Sequence, residues 1–291
     1  MNFNLYLQKT LLILNSYLSE PLQYAFMQRS LIVAIAVGLI CSIVGSYLMV
    51  QRLALLGDAI SHSVMPGLAF AFAYKIPIIL GALVAAILST LIITWLNKEY
   101  PLKEDTIIGI VFASFFALGI ILISIIQKEN KIDLNHFLFG NILGVTLEDV
   151  IATSLICAGV LIIITFLYKE LLFYTFDPLG AEALGLPVKE LNFCLMALVA
   201  LTTVASMKAV GVVLVLALLI IPSASAYLLV SRLDHVMTLA STLGITSSIM
   251  GMYISYFFNI PSGPAIVVIA SIFFCFILIF FKISQFTSAN F

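Results

Sequence analysis

The sequence predicts an all-α polytopic membrane protein with about nine (eight to ten) transmembrane helices, and three observations carry that prediction. Of 291 residues, 63% are hydrophobic and only 9% charged, with a mean hydropathy of +1.22, whereas soluble domains carry roughly 25% charged residues. Apolar stretches long enough to cross a hydrocarbon layer roughly 30 Å thick recur from Leu31 to the C-terminus. They are continuously apolar rather than alternating, so helices and not a barrel satisfy the backbone inside lipid.

Proline, glycine and charge clusters divide the hydropathy into nine segments, at 30–50, 55–74, 76–96, 106–126, 150–168, 191–207, 210–230, 237–257 and 264–282. Ahead of them, "NLYLQKTLLILNSYLSEPL" is too short and too polar for a span and lacks the pattern of a cleaved signal, so residues 1–28 are read as an interfacial segment. Tight junctions at Lys75 and Lys208 leave half-helices or re-entrant pairs open at those two places. Most polarity lies in three connections, "NKEYPLKED" (97–105), "QKENKIDLNHFLFGN" (127–141) and "YKELLFYTFDPLGAEALGLPVKE" (168–190). None is long enough for a soluble domain, so residues 1–291 form one membrane domain. With 168–190 cytoplasmic, alternation puts Arg52, Lys98, Lys103, Lys169, Lys189, Arg232 and Lys282 inside and Lys75, Lys128, Lys131 and Lys208 outside, seven against four. Placing Lys9 and Arg29 outside as well would nearly erase that bias.

Composition also excludes function classes. A net charge of −1 without basic blocks is no footprint for nucleic acid. No GxxxxGK[ST] phosphate loop occurs, so any ATP hydrolysis belongs to another polypeptide. The histidines, His62, His136 and His235, are far apart and outside any HExxH pattern, and GxSxG is missing too, so the chain is not expected to be an enzyme. Cys41, Cys157, Cys194 and Cys275 lie singly in apolar runs and are read as small hydrophobes.

"LLGDAISHSVMPG" (55–67) is the exception to the greasy background. Asp58 and His62 are four residues apart and face the same way on a helix, about 5–6 Å apart at Cβ. A carboxylate at mid-bilayer costs about 2.5–3.5 kcal/mol even on the gentler insertion scales, which marks a residue that faces a cavity or a partner. Two readings stand. Asp58 caps the start of its helix and hydrogen-bonds His62 as a packing pair, or the carboxylate and the imidazole are ligands to a divalent cation in transit. Two ligands are too few for a closed four-coordinate site, yet a pathway needs weak binding, and a two-fold dimer would bring four together. Pro66 and Gly67, one turn on, interrupt the backbone and could open carbonyls to the pathway.

"RLALLGDAISHSVMPGLAFAF" (52–72) resembles the hallmark segment of the membrane permeases of bacterial zinc/manganese/iron ABC importers. The likeness continues in order through "EDTIIGIVFASFFALGIIL" (104–122), "DLNHFLFGNILGV" (133–145), "FDPLGAEALGLPV" (176–188), "VGVVLVLALLIIPSASAYLL" (210–229) and "FFNIPSGPAIVVIAS" (257–271). The resemblance implies a compact importer fold related to vitamin B12 and siderophore permeases, in the bacterial cytoplasmic (inner) membrane. It implies a homodimer with two cytoplasmic ATP-binding subunits and an extracytoplasmic metal-binding protein, carrying Zn2+, Mn2+ or Fe2+ as cargo with no tightly bound cofactor. It maps the metal pathway onto Asp58 and His62. It also maps the coupling loop onto 168–190, where Asp177, Glu182, Ala183, Gly185 and Pro187 face the ATPase. Physically, Pro178 and Pro187 with Gly180 and Gly185 fit a short helix bounded by turns, though an ordinary amphipathic loop is the alternative.

Other polar residues have competing readings. Ser61, Glu104, Asp105 and His136 are possible gate or pathway residues; capping suits Glu104 and Asp105, and a solvated loop suits His136. His235 reads as interfacial. "PSASA" (222–226) allows close helix approach at a dimer or pore, and Asn259 and Ser262 suit a turn. A proton-coupled secondary carrier in which Asp58 and His62 titrate is the alternative function; such carriers often show inverted repeats, and none is visible here.

Overall fold

Apolar runs bounded by proline, glycine or charge become helices here almost without exception. The computed structural model describes residues 19–53, 56–126 and 142–288. Its α-helices are α1 Ala25–Val50, α2 Leu56–Ser63, α3 Met65–Ala73, α4 Ile78–Glu99, α5 Glu104–Ile126, α6 Leu147–Phe166, α7 Tyr168–Phe176, α8 Pro178–Ala183, α9 Val188–Val210, α10 Val212–Leu229, α11 Leu233–Phe258 and α12 Ser262–Ser288. Eight of these, among the described residues, are long and apolar enough to cross a membrane. The expected 55–74 span is the one that is broken, into α2 and α3 on either side of Val64. The other spans fall where hydropathy placed them, lengthened by polar end residues such as Glu104, Glu148 and Lys98 that extend the first or last turn. Most of the 1–28 segment and the whole 127–141 loop, His136 included, lie outside the described residues.

Local chemistry sets the ends. Thr146 and Asp149 form a reciprocal capping box that starts α6. Gly211 alone separates α9 from α10, with φ +81°, a backbone conformation that a side chain would strain. Asn259, with φ 52°, closes α11 in the left-handed region, so the turn expected at Asn259 and Ser262 is present. Inside the membrane most serine and threonine hydroxyls donate to a carbonyl one turn back, as in Ser42 to Gly38 (2.6 Å) and Ser63 to Ala59 (2.6 Å).

The helices pack in two groups. α1 lies against α10 and α11, which also hold α12. The broken pair α2–α3 packs on α5, and α3 also on α4. α9 joins the groups by touching α1, α2, α4 and α6. Small residues bring the backbones close, since helix association in lipid rests on van der Waals packing rather than on water exclusion. A Cβ at Gly45 would meet the carbonyl oxygen of Leu219, with Ser223 Oγ 2.8 Å away. The "PSASA" small residues therefore serve packing within the chain: Ser223 donates to the Ser42 carbonyl across the α1–α10 contact at 3.0 Å. Cys41 and Cys157 are buried and Cys275 is exposed on α12, all as free thiols.

Candidate functional site

Asp58 and His62 occupy the first and last turns of α2 and face the same side, with His62 Nε2 3.5 Å from Asp58 Oδ1. Asp58 is the third residue of the helix, inside the first turn rather than at the capping position, where its charge also suits the helix dipole. Both side chains keep access to the outside of the chain, His62 21% exposed and Asp58 41%, although their neighbours Gly57, Ala59, Ile60 and Ser61 are buried. α2 therefore packs on α5 and α9 through its apolar side and presents its two ionisable groups at an open edge.

Behind the pair, α5 supplies aromatic walls. The His62 ring lies 5.4 Å from the Phe112 ring, tilted by 59°, and 5.2 Å from the Phe116 ring, edge-on at 78°. Its Nδ1 is buried with no protein hydrogen-bond partner. Neither phenylalanine stands out in the sequence. Their one-turn spacing within "VFASFFALG" is the signal available, and any lipid-facing helix gives the same signal.

Beyond His62 the span bends at Val64. Pro66 has no N–H to offer the His62 carbonyl one turn back, so the helical ladder is interrupted beside the ligand-type side chains. The elbow is clamped from both sides. A Cβ at Gly67 would collide with the Gly81 carbonyl oxygen of α4, and one at Gly119 of α5 would lie 2.5 Å from the Met65 Cβ and 3.1 Å from the Pro66 nitrogen.

Of the remaining gate candidates, Ser61 lies on α2, Glu104 and Asp105 share the first turn of α5, and His136 lies outside the described residues. Ser61 is fully buried and donates to the Gly57 carbonyl at 2.8 Å, which engages its hydroxyl proton. Glu104 opens α5, and Asp105 is exposed in the same first turn. Asp105 precedes Phe112 by seven residues and Phe116 by eleven, a register that puts all three on one helix face. Among the described residues no three histidine, cysteine or acidic side chains converge, so Asp58 and His62 stand as a pair.

The 168–190 connection holds two short helices, α7 and α8. Asp177 caps α8 by accepting from the Gly180 N–H at 2.9 Å, and Pro178 takes the first helical position, where its missing N–H costs nothing. At the other end the Gly185 N–H donates to the Glu182 carbonyl and the Leu186 N–H to the Ala181 carbonyl, both at 3.0 Å. This paired closure needs a left-handed residue, supplied by Gly185 at φ +79°, and Pro187 then caps α9. Asp177, Glu182, Ala183, Gly185 and Pro187 are all exposed, as are Leu179 (79%) and Leu184 (72%). Asp177→Ala should cost about 1 kcal/mol of local helix stability, read as faster amide hydrogen exchange in α8.

On the same side, Arg232 holds Asp234 through two nitrogens, at 3.1 and 3.3 Å, and His235 Nε2 lies 3.9 Å from the same carboxylate. His235 is thus a surface partner to Asp234, in line with its interfacial reading. Tyr168, at the head of α7, titrates above its ordinary range, through burial and then through the nearby Asp234 charge.

The model of the ABC 3 transport family matches residues 23–281. The manganese transport system membrane protein MntC of Listeria monocytogenes is 44% identical over 258 residues, covering 89% of this chain and 91% of that protein. The chelated iron transport system membrane protein YfeD of Yersinia pestis is 40% identical over 265 residues, covering 91% and 89%. Among solved structures, PsaBC from Streptococcus pneumoniae in complex with Fab superposes with a TM-score of 0.81 at 40% identity, covering 91% of this chain and 95% of that one. With the match running through the broken span, the capped short helix and the C-terminal helices alike, this multi-pass membrane chain belongs to the ABC 3 transport family.

Proposed function

We propose that the chain is the permease subunit of an ATP-driven importer of a divalent transition metal, Mn2+ or Fe2+, in the inner membrane, with ATP hydrolysis on a partner chain. The observation that carries the reading is the Asp58–His62 pair, 3.5 Å apart and open at the edge of an otherwise apolar chain. A carboxylate oxygen with an imidazole nitrogen suits borderline divalent cations. The names of the manganese and chelated-iron relatives support that class of cargo.

The chain works as a homodimer that places two Asp58–His62 pairs on one axis, giving four ligands around a cation delivered by an extracytoplasmic binding protein. Alternating access then exposes the site to one side at a time, and the permease breaks no covalent bond. Coupling to the ATPases runs through α8. Exposed Leu179 on α8 and Leu184 at its C-terminal cap, beside Glu182, form a small amphipathic surface outside the membrane-spanning helices.

The test is uptake of radiolabelled Mn2+ into proteoliposomes holding the chain with its ATPase and binding protein, with Fe2+ and Zn2+ as competitors. ATP-dependent uptake competed by Fe2+ supports the reading. Uptake that needs no ATP and collapses with the proton gradient points to the secondary carrier instead. Glu182→Lys is expected to detach the ATPase or uncouple hydrolysis from transport, seen as lost co-purification or lost uptake with the metal site intact; retention of both removes α8 from the coupling path.

A further inference from the structure

His62 departs from the usual metal-ligating histidine in what holds its far nitrogen. Such an imidazole normally donates its second N–H to a carboxylate, a carbonyl or water, which fixes its tautomer and ring angle. Here Nε2 is the nitrogen beside Asp58, while Nδ1 points inward, buried and without a protein hydrogen-bond partner. The place of a polar anchor is taken by two phenyl rings. Phe112 and Phe116 are one turn apart on α5, stacked on each other at 5.8 Å with a 21° angle, and both touch the imidazole. We infer that Phe112 and Phe116 are positioning residues of the metal site: they hold the imidazole by shape, with Nε2 turned toward Asp58, in place of a hydrogen bond to Nδ1.

This inference rests on the reading of His62 as a ligand and adds why the ligand is a weak one. Loss of an outer-shell hydrogen bond typically lowers metal affinity by about 10- to 100-fold. An aromatic ledge fixes the ring angle by shape alone, so the cation is caught in a defined geometry and still released. The ledge also belongs to the moving parts, because Gly119, three residues after Phe116, seats on Met65 and Pro66. A shift of α5 therefore reaches the imidazole and the elbow together.

The experiment measures Mn2+ binding to the purified permease–ATPase complex, and the concentration dependence of uptake, for wild type, Phe112→Leu/Phe116→Leu, Phe112→Tyr/Phe116→Tyr and His62→Ala. The leucine pair is expected to raise the half-saturating Mn2+ concentration by about tenfold. The tyrosine pair, which keeps the ring faces, restores the wild-type value. Wild-type binding by the leucine pair, with binding lost in His62→Ala, overturns the positioning role and leaves the ligand assignment standing. Normal binding by His62→Ala overturns both. If the double leucine variant does not accumulate, the single leucine variants carry the same comparison.

Discussion

Asp58→Asn and His62→Ala are each expected to abolish metal uptake while the protein accumulates in the membrane at or above the wild-type level. If a ligand contact is worth about as much as a hydrogen bond to a charged group, 1.5–3 kcal/mol, losing one weakens the site about 10- to 100-fold. In a homodimer each substitution removes two ligands, so the expected loss at limiting Mn2+ is about 100-fold or more. Stability is expected to move the other way for Asp58→Asn, because the neutral amide removes a charge that the bilayer penalises by about 2.5–3.5 kcal/mol, more than the roughly 0.3–1 kcal/mol that the charge gains at the helix N-terminus beside His62. Uptake of radiolabelled Mn2+ set against protein level by immunoblot separates the two effects. A variant that transports normally removes the ligand role. One that is merely scarce points to packing.

Gly45→Leu has the second large effect, and it falls on folding. The Cβ would drive into the Leu219 carbonyl oxygen, which the α10 ladder holds in place, so α1 and α10 must separate. Separation breaks the Ser223–Ser42 hydrogen bond and opens a contact among the most heavily buried helices of the chain. Overpacking of ordinary cores costs about 1–3 kcal/mol, and a backbone collision is at the upper end because no rotamer relieves it. Folded protein should fall severalfold by fluorescence-detected gel filtration. Gly159→Leu on α6 is the control, since nothing lies within 4 Å of its added Cβ, and its yield should match wild type.

How far the sequence could be read depends on where the determining physics is local. The short helix α8 was legible because Pro178, Gly185 and Pro187 act through their own backbone. The break in the second span was half legible: Pro66 announces an interruption, but clamping of the elbow by Gly81 and Gly119 comes from distant helices. "PSASA" announced a close approach without naming α1 as the partner. Asp58 and His62 stood out because charge is rare here. Phe112 and Phe116 did not, because α5 is apolar nearly all round and its packing against α2, α3 and α4 decides which face matters.

The double capping of α8 has a consequence for assembly. Six residues make fewer than two turns, too short for a helix to persist unaided, since nucleation alone is unfavourable by about a thousandfold. The Asp177 and Gly185 closures make it a finished body before any partner arrives. Docking at α8, as proposed above, would then require no coupled folding, since the ordering entropy that a flexible loop would surrender on contact has already been met within the chain.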